Sequence, residues 1–558
     1  SYSRSMLSTM MDIPLSLTRI LEYGASVHGS TTVTTWHGEG TGSEFDPAEE
    51  VTFRDIAARA AAFAHAIHDD LGITGDERVG SFMWNCAEHL EVMFGTACKG
   101  AIFAPLNKQL MNDQIRHIIN HAEISAIVCD PRLAQQLGKV LVGTDSVKSV
   151  IITGAQPAQQ FAHLFPRGIE VYSYEALIDG RSTVYDWPEL DERTAAALCY
   201  STGTTGAPKG VLYSHRSNVL HALMANSKDA LGTSASDTML PVVPLFHANS
   251  WGIAFSAPSM GTKLVMPGPK LDGASVYELL STEKVTHTAG VPTVWLMLLQ
   301  YMAANNVKLP DLQMVVCGGS AMPRSMIKAF LDMGTQVRHA WGMTEMSPLG
   351  TLATLKPPFS ERTGEERLDI LQTQGYPPFG VEMKITDDAG KELPWDGKTF
   401  GRLKVSGPAI AKAYFRVDAN ILDDAGFFDT GDVSTMDEHG YMRITDRSKD
   451  VIKSGGEWIS SIDLENLAVG HPAVAEAAVI GVHHPKWDER PLLIVQLKQG
   501  ESATREDILK YMDGKIAKWW MPDDVAFVDG IPHTATGKIL KTALRDQFKD
   551  YTFPTAAA

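Results

Sequence analysis

The chain has 558 residues, 44% of them hydrophobic and 21% charged, and is too long for one hydrophobic core, so we expect at least two domains. The formal net charge of −17 argues against a nucleic-acid partner, because binding to phosphates needs clustered lysine and arginine. Five scattered cysteines without a C-x-x-C pair argue against a disulfide framework and fit a reducing compartment.

The first half of the chain alternates between helix-like and strand-like patterns. An alanine-rich amphipathic stretch predicts a helix from Thr52 to about Leu71. Strands are then predicted at 79–83, 101–105, 125–129 and 147–152, and helices at 87–99, 113–121 and 131–141. This alternation is typical of an α/β fold, with wound layers and largely parallel sheets.

The second half continues this pattern and then changes character. Further α/β elements are predicted at 296–304, 314–317 and 325–333, followed by a polar, irregular surface excursion at 351–373. Antiparallel strands are predicted at 381–387 and 401–406, and a final α+β part has elements at 461–469, 477–482 and 505–516. Two domains of unequal size follow from this division.

One loop, rich in glycine and threonine, predicts a polyphosphate site. It follows an apolar strand-like run, 195–200, and precedes a second β-prone run, 211–213, and a helical pattern at 217–231. Glycines let backbone N–H groups approach phosphate oxygens, and the hydroxyls and a lysine add donors and charge. The candidate residues are Ser201, Thr202, Gly203, Thr204, Thr205, Gly206 and Lys209. The loop is not a Walker motif, because Ala207-Pro208 precede the lysine and Gly210 replaces the required Ser/Thr.

Six further clusters follow the loop in a fixed order. They are Pro244–His247, Gly318–Ala321, Trp341–Glu345, Asp429–Asp432, Asp446–Glu457 and Pro532–Lys538. Together with the loop, this series resembles the adenylate-forming (AMP-binding) enzymes, and most of all the bacterial medium- and long-chain fatty acyl-CoA synthetases. The likeness spans residues 52 to 545. It implies that a carboxylate and ATP give an acyl-adenylate and pyrophosphate, after which the thiol of CoA gives acyl-CoA and AMP.

The resemblance also implies roles for individual residues around ATP. Lys538, Glu345 and Thr344 are the expected catalytic residues, with Glu345 as the Mg²⁺ ligand, which suits an ion that takes one or two carboxylates plus phosphates. Positioned cations of this kind stabilise the charge that develops on phosphoryl oxygens. Besides the loop, the expected nucleotide-binding residues are Gly318, Gly319, Ser320, Ala321, Trp341, Gly342, Asp432 and Arg447. Trp341 stands where relatives more often carry tyrosine and is expected to stack on adenine.

The remaining implied residues concern the acid, CoA and domain rotation. The expected acyl pocket contains His247, Trp251, Gly290, Val291 and Pro292, and the expected CoA contacts are Lys453, Gly455, Gly456 and Trp458. The family fold implies a large N-terminal AMP-binding domain, 1–446, with a small β-barrel-like part. A hinge at 447–449 centred on Lys449 then leads to a small mobile C-terminal domain, 450–558.

Several alternatives remain open at this stage. The acid could be a short-chain or methylthio carboxylate, and the adenylation domain could serve a carrier protein. Two different classes are a P-loop ATPase or phosphotransferase and a non-catalytic nucleotide-binding module. We expect ATP, CoA and a small carboxylic acid as partners and a cytoplasmic location, since no signal peptide or membrane span is evident. A homodimer and peripheral membrane contact are compatible with the sequence.

Overall fold

The computed structural model describes residues 4–37, 48–201, 207–533 and 538–557. Its large N-terminal part contains two mostly parallel sheets, which confirms the predicted α/β class. The first sheet has seven strands, in the spatial order Glu170–Ser173, Ser149–Ile152, Ile124–Cys129, Arg78–Phe82, Ile102–Pro105, Ala195–Ser201 and Lys209–Ser214. Neighbouring strands are parallel except for the last pair, which is antiparallel and flanks the predicted phosphate loop.

The second sheet has eight strands and carries most of the other site residues at its strand ends. Its order is Leu349–Ala353, Gln336–Gly342, Met314–Cys317, His287–Gly290, Thr238–Pro241, Lys263–Met266, Thr32–Trp36 and Ala48–Thr52. The interior pairs are parallel, and the pair at each edge is antiparallel. The carboxyl ends of parallel strands meet at one edge, where ligands bind in open α/β sheets.

Helices cover these sheets and connect their strands. In this part of the chain they are Leu17–Val27, Phe53–Asp69, Ala87–Cys98, Asn112–Ala122, Ala134–Val140, Tyr174–Ile178, His215–Ala225, Ile253–Met260, Gly273–Thr282, Pro292–Asn305, Arg324–Asp332 and Gly364–Leu371. The predicted alanine-rich helix begins at a capping box, in which Thr52 and Asp55 each bind the other's backbone N–H. Within the described ranges, every helix is too short or too polar to cross a bilayer.

Two smaller sheets complete the chain. The β-barrel-like part corresponds to a four-stranded antiparallel sheet of Glu382–Thr386, Gly401–Ser406, Phe428–Met436 and Met442–Arg447. The C-terminal part has a five-stranded sheet of Glu457–Ile459, Ile452–Ser454, Asp488–Leu497, Val474–His484 and Asp524–Phe527, with helices Ser461–Val469, Arg505–Met512 and Lys541–Gln547. Buried apolar clusters of this last part share no residue with those that precede it, so the chain has a large N-terminal and a small C-terminal domain.

The predicted irregular excursion at 351–373 is wrong in two places. Leu349–Ala353 is an edge strand, because it pairs antiparallel with Gln336–Gly342 of the eight-stranded sheet. Gly364–Leu371 is a helix that buries Leu368 and Leu371. Two predicted helices also end early. One stops at Ala225, where the Asn226 side chain binds Thr233, and the other at Met512, before an extended Asp513.

Candidate active site

The predicted phosphate loop lies between two strands whose ends face each other. Ser201 is the register partner of Lys209, and the Ser201 hydroxyl donates to the Lys209 carbonyl at 3.3 Å. Thr202, Gly203, Thr204, Thr205 and Gly206 lie outside the described residues. The described strand ends therefore bring Ser201 and Lys209 to the same edge of the seven-stranded sheet.

Tyr414 links this loop to the predicted magnesium ligand. Its hydroxyl donates to Glu345 Oε2 at 2.6 Å, and Lys209 Nζ lies 5.0 Å from the centre of its ring. Glu345 is buried, on a 3₁₀ turn after the strand Gln336–Gly342, and Tyr213 donates to the neighbouring Thr344 carbonyl at 2.6 Å. The structure thus gathers Lys209, Thr344 and Glu345. A single buried carboxylate fits an ion whose other ligands are substrate phosphates and water.

Asp432 is a buried carboxylate held from both sides. Trp341 Nε1 donates to its Oδ2 at 3.0 Å, and Arg447 Nη1 to its Oδ1 at 2.9 Å. Burial raises the pKa of Asp432, while Arg447 and the Trp341 hydrogen bond counteract that rise. Gly431 has φ +75°, a left-handed backbone that favours glycine, and a Cβ there would crowd the end of the Arg447 side chain at 2.8 Å from Nη2.

Trp341 supports this carboxylate, because its indole N–H donates to Asp432 and its ring is buried (8% exposed). Its stacking on adenine stays a prediction. Gly342 follows it on the same strand, where a Cβ would meet the Pro348 carbonyl oxygen at 2.0 Å. Trp341 and Gly342 thus lie at the end of one strand of the eight-stranded sheet, and Asp432 and Arg447 lie on the four-stranded sheet. These four predicted nucleotide-binding residues are called the nucleotide set below.

The predicted adenine loop lies against the predicted acyl pocket. Gly318, directly after the strand Met314–Cys317, donates its N–H to the Gly290 carbonyl, and a Cβ on it would lie 3.2 Å from the Trp251 ring. A Cβ on Gly319 would lie 3.0 Å from Val291, and Pro292 begins the helix Pro292–Asn305. Ser320 and Ala321 follow on an exposed turn. The five predicted acyl-pocket residues and this loop thus share one edge of the eight-stranded sheet.

Backbone strain marks the segment between His247 and Trp251. Ala248, Asn249, Ser250 and Trp251 all have left-handed backbone, with φ between 45° and 58°. This conformation costs roughly 1–2 kcal/mol for each non-glycine residue. Strain of this kind persists where the surroundings over-determine it, which is typical of ligand sites. Burial, with smaller contributions from Lys538 and Lys108, lowers the pKa of His247 to about 4, so its imidazole is neutral at neutral pH.

Lys538 reaches this site from the C-terminal domain. It interacts electrostatically with Asp432 and Arg447 and also with His247, which joins the nucleotide set to the acyl set. The residue retains exposed surface, but crowding by protein atoms and the positive charge of Arg447 lower the pKa of its ammonium, and Asp432 partly offsets this. The charge of Lys538 therefore acts on residues of both predicted groups, Asp432 and Arg447 on one side and His247 on the other.

The predicted CoA residues lie on one hairpin of the C-terminal domain. Gly455 and Gly456, with φ +55° and +85°, form the turn between Ile452–Ser454 and Glu457–Ile459. Lys453 lies over the Trp458 ring at 5.2 Å and pairs with Asp388 of the large domain, Nζ to Oδ2, at 3.3 Å. No hydrogen bond between described residues joins this hairpin to the nucleotide set.

The predicted hinge adjoins the Asp432 cluster. The Ser448 N–H donates to the Gly431 carbonyl at 2.8 Å, and Arg545 of the small domain donates to the Lys449 carbonyl at 3.3 Å. Lys449 thus connects the large domain to a helix of the small one. Its proposed role in rotation remains a prediction.

Sequence reasoning missed Tyr414, Tyr213 and Asn249. Tyr414 lies 69 residues from the Glu345 it binds, and Tyr213 lies 131 residues from Thr344. Neither tyrosine stands in a recognisable motif, so no local pattern could have identified it. Asn249 lies within the segment considered for the acyl pocket, but its strained backbone has no sequence signal.

Comparisons with known proteins identify the family of the chain. The family model described as AMP-binding enzyme matches residues 23–415, and the one described as AMP-binding enzyme C-terminal domain matches residues 463–538. A 3-methylmercaptopropionyl-CoA ligase from Ruegeria lacuscaerulensis is 44% identical over 547 residues, covering 98% of this chain and 99% of the relative. A medium-chain-fatty-acid–CoA ligase from Ectopseudomonas oleovorans is 41% identical over 549 residues, covering 98% of each chain.

A solved structure shares the fold over the same length. It is an anthranilate CoA ligase in complex with anthranoyl-AMP, with a TM-score of 0.81 and 25% sequence identity, covering 98% of this chain and 99% of that one. The five cysteines are free, as the sequence predicts.

The Asp432 geometry leads to a prediction for Trp341→Phe. This change keeps an aromatic ring but removes the N–H that holds Oδ2, so we expect AMP affinity to fall roughly tenfold, about the lower limit for one hydrogen bond to a charged group. Titration calorimetry measures this, with the exposed Trp395→Phe as the control. Unchanged AMP affinity in Trp341→Phe would show that the indole does not position Asp432.

Proposed function

Because this chain belongs to the family of AMP-binding enzymes and is an AMP-forming acyl-CoA ligase, we propose that it activates a fatty acid. ATP and the acid give an acyl-adenylate and pyrophosphate, and CoA then gives acyl-CoA and AMP. The observation that carries the proposal is that the charge of the Lys538 ammonium interacts with both Asp432 and His247. A cation there offsets the charge of a carboxylate approaching a phosphate.

The residues of the site divide the first step between them. Asp432 accepts hydrogen bonds from the ribose hydroxyls, and Arg447 offsets part of the cost of burying its charge. Lys538 contacts the acid's carboxylate and the α-phosphate, while Lys209 and the loop before it bind the pyrophosphate that leaves. A magnesium ion held by Glu345 would neutralise phosphate charge. The neutral His247 lines the place where the acyl group forms its new bond.

The second step requires another arrangement of the small domain. In the present one, Lys453 is paired with Asp388 of the large domain. We propose that rotation about 447–449 withdraws Lys538 and brings Gly455 and Gly456 to the acyl-adenylate, where their lack of side chains admits the pantetheine arm. The boundaries 1–446 and 450–558 belong to this proposal, as does a cytoplasmic location.

A second candidate substrate is a short methylthio acid. A relative that is 44% identical over nearly its whole length carries the name 3-methylmercaptopropionyl-CoA ligase, and one at 41% is named for medium-chain fatty acids. The two candidate acids undergo the same reaction, and they differ in the acyl chain that the pocket beyond His247 and Trp251 has to hold.

An acid panel tests the proposed substrate. With ATP, Mg²⁺ and CoA, we expect AMP and acyl-CoA from at least one straight-chain acid between acetate and octadecanoate, with 3-methylthiopropionate included as the second candidate. Chromatography of nucleotides and thioesters measures both products. Release of ADP would contradict an adenylate-forming reaction, and an inert protein would support a non-catalytic binding module.

Lys538→Ala should separate the two half-reactions. We expect the rate of adenylation, measured as pyrophosphate release, to fall at least about a hundredfold. The reason is that the charge on the phosphoryl oxygens loses a positioned cation. Conversion of supplied acyl-adenylate to acyl-CoA should stay within about twofold of wild type. Equal loss of both half-reactions would rule out a role confined to adenylation. Lys541→Ala, three residues on and paired with Glu465, is a matched control for disturbance of the domain.

The lowered pKa of Lys538 gives the adenylation step a pH limit. The ammonium is needed in its charged form, so adenylation should decrease as pH rises through a pKa below the ordinary lysine value of 10.5. Thioester formation should lack this limb, and Lys538→Arg should remove it, because a guanidinium stays charged. Rates of each half-reaction between neutral and alkaline pH provide the measurement. A shared alkaline limb in both half-reactions would contradict the assignment.

A further inference from the structure

Asn249 has a buried carboxamide without a described partner. The residue is 1% exposed, and neither Nδ2 nor Oδ1 has a hydrogen-bond partner among the residues that the structure describes. Buried polar groups in native proteins are nearly always paired, and leaving one unpaired is strongly unfavourable. Two such atoms on one side chain therefore indicate a ligand or an ordered water.

The backbone around Asn249 is committed to other contacts. The backbone of Ala248 and Asn249 offsets part of the rise that burial causes in the pKa of the Cys199 thiol, and the Ser250 hydroxyl donates to the Val243 carbonyl at 2.7 Å. These contacts hold the left-handed turn, although its backbone conformation is unfavourable for alanine and serine. Asparagine tolerates this backbone better than most residues. The turn is thus fixed by its neighbours, and the carboxamide is the part left for another molecule.

The two neighbours of this turn belong to the acyl pocket. His247 precedes it, and Trp251 ends it with its ring against Gly318. A substrate chain that passes His247 and Trp251 therefore passes the turn that carries Asn249. An alkyl chain offers it neither donor nor acceptor, whereas a thioether sulfur accepts weakly and an ether oxygen accepts well.

We propose that Asn249 is a specificity-determining residue whose carboxamide N–H binds a heteroatom in the chain of the acid. The inference deepens the proposed function and rests on it, because it takes the acyl pocket from there. The Asn249 carboxamide selects acids such as 3-methylthiopropionate over pentanoate, in which a CH₂ group replaces the sulfur. Discrimination of this type arises because an unpaired polar group in the site penalises the analogue that lacks its partner.

The test uses three acyl-sulfamoyladenosines, which mimic the acyl-adenylate without reacting. Their acyl groups are pentanoyl, 3-methylthiopropanoyl and 3-methoxypropanoyl, so one position is CH₂, S or O. Asn249→Gly removes the carboxamide and suits left-handed backbone, and Asn249→Asp keeps the shape but removes the N–H donor. Ala248→Gly on the same turn is the matched control. Calorimetry gives the affinities without turnover.

We expect Asn249→Gly to weaken the oxygen analogue roughly two- to tenfold more than the pentanoyl analogue, the range for one neutral hydrogen bond, and the sulfur analogue by less. Asn249→Asp should give the same order of affinity losses among the three analogues. Ala248→Gly should change the three affinities equally or not at all. Equal losses in Asn249→Gly, or no binding of any analogue to wild type, would overturn the inference.

Two further outcomes are informative. If Asn249→Gly weakens ATP binding and leaves the ratios of the three analogues unchanged, the carboxamide serves the phosphate loop and the inference is wrong. Failure of the proposed function has a separate signature: no free acid gives AMP with the wild-type enzyme, while the three analogues still bind in the expected order.

Discussion

The candidate active site depends on interactions that compensate the burial of one carboxylate. Asp432 loses solvent on entering the protein, and Trp341 and Arg447 replace it, one from the eight-stranded sheet and one from the end of the four-stranded sheet. Lys538 adds a third favourable interaction from the small domain. Removing one partner from a buried charge is far more costly than the pair itself is favourable. The two sheets and the C-terminal lysine are therefore coupled through a single side chain.

Backbone strain and paired buried polar groups occur in different parts of this site. Around Asp432 and Glu345, buried oxygens accept hydrogen bonds from tryptophan, arginine and tyrosine. Around Asn249, a strained turn carries a carboxamide that the described protein leaves unpaired. The first pattern is that of a preorganised site, as expected for the proposed binding of a nucleotide. The second is the pattern expected where a variable ligand completes the structure.

Much of the fold and part of the site followed from local patterns. Alternating helix and strand periods predicted the parallel sheets, and the helix Ser461–Val469 matches its predicted bounds. The strand Leu349–Ala353 escaped prediction because it is stabilised by pairing with Gln336–Gly342 and not by its own composition. Tyr414 and the Trp341–Asp432 bond escaped because they join residues 69 and 91 positions apart. Motifs identified the residue types at the site, whereas the contacts that orient them depend on the tertiary structure.

The Lys453–Asp388 contact has a consequence for the order of events. While the ammonium of Lys453 is paired with Asp388, the hairpin that carries Gly455 and Gly456 is tied to the large domain. If that hairpin admits the thiol, as proposed, the Lys453–Asp388 ion pair has to break before thioester formation. The ion pair would then help to separate the two steps of the proposed reaction in time.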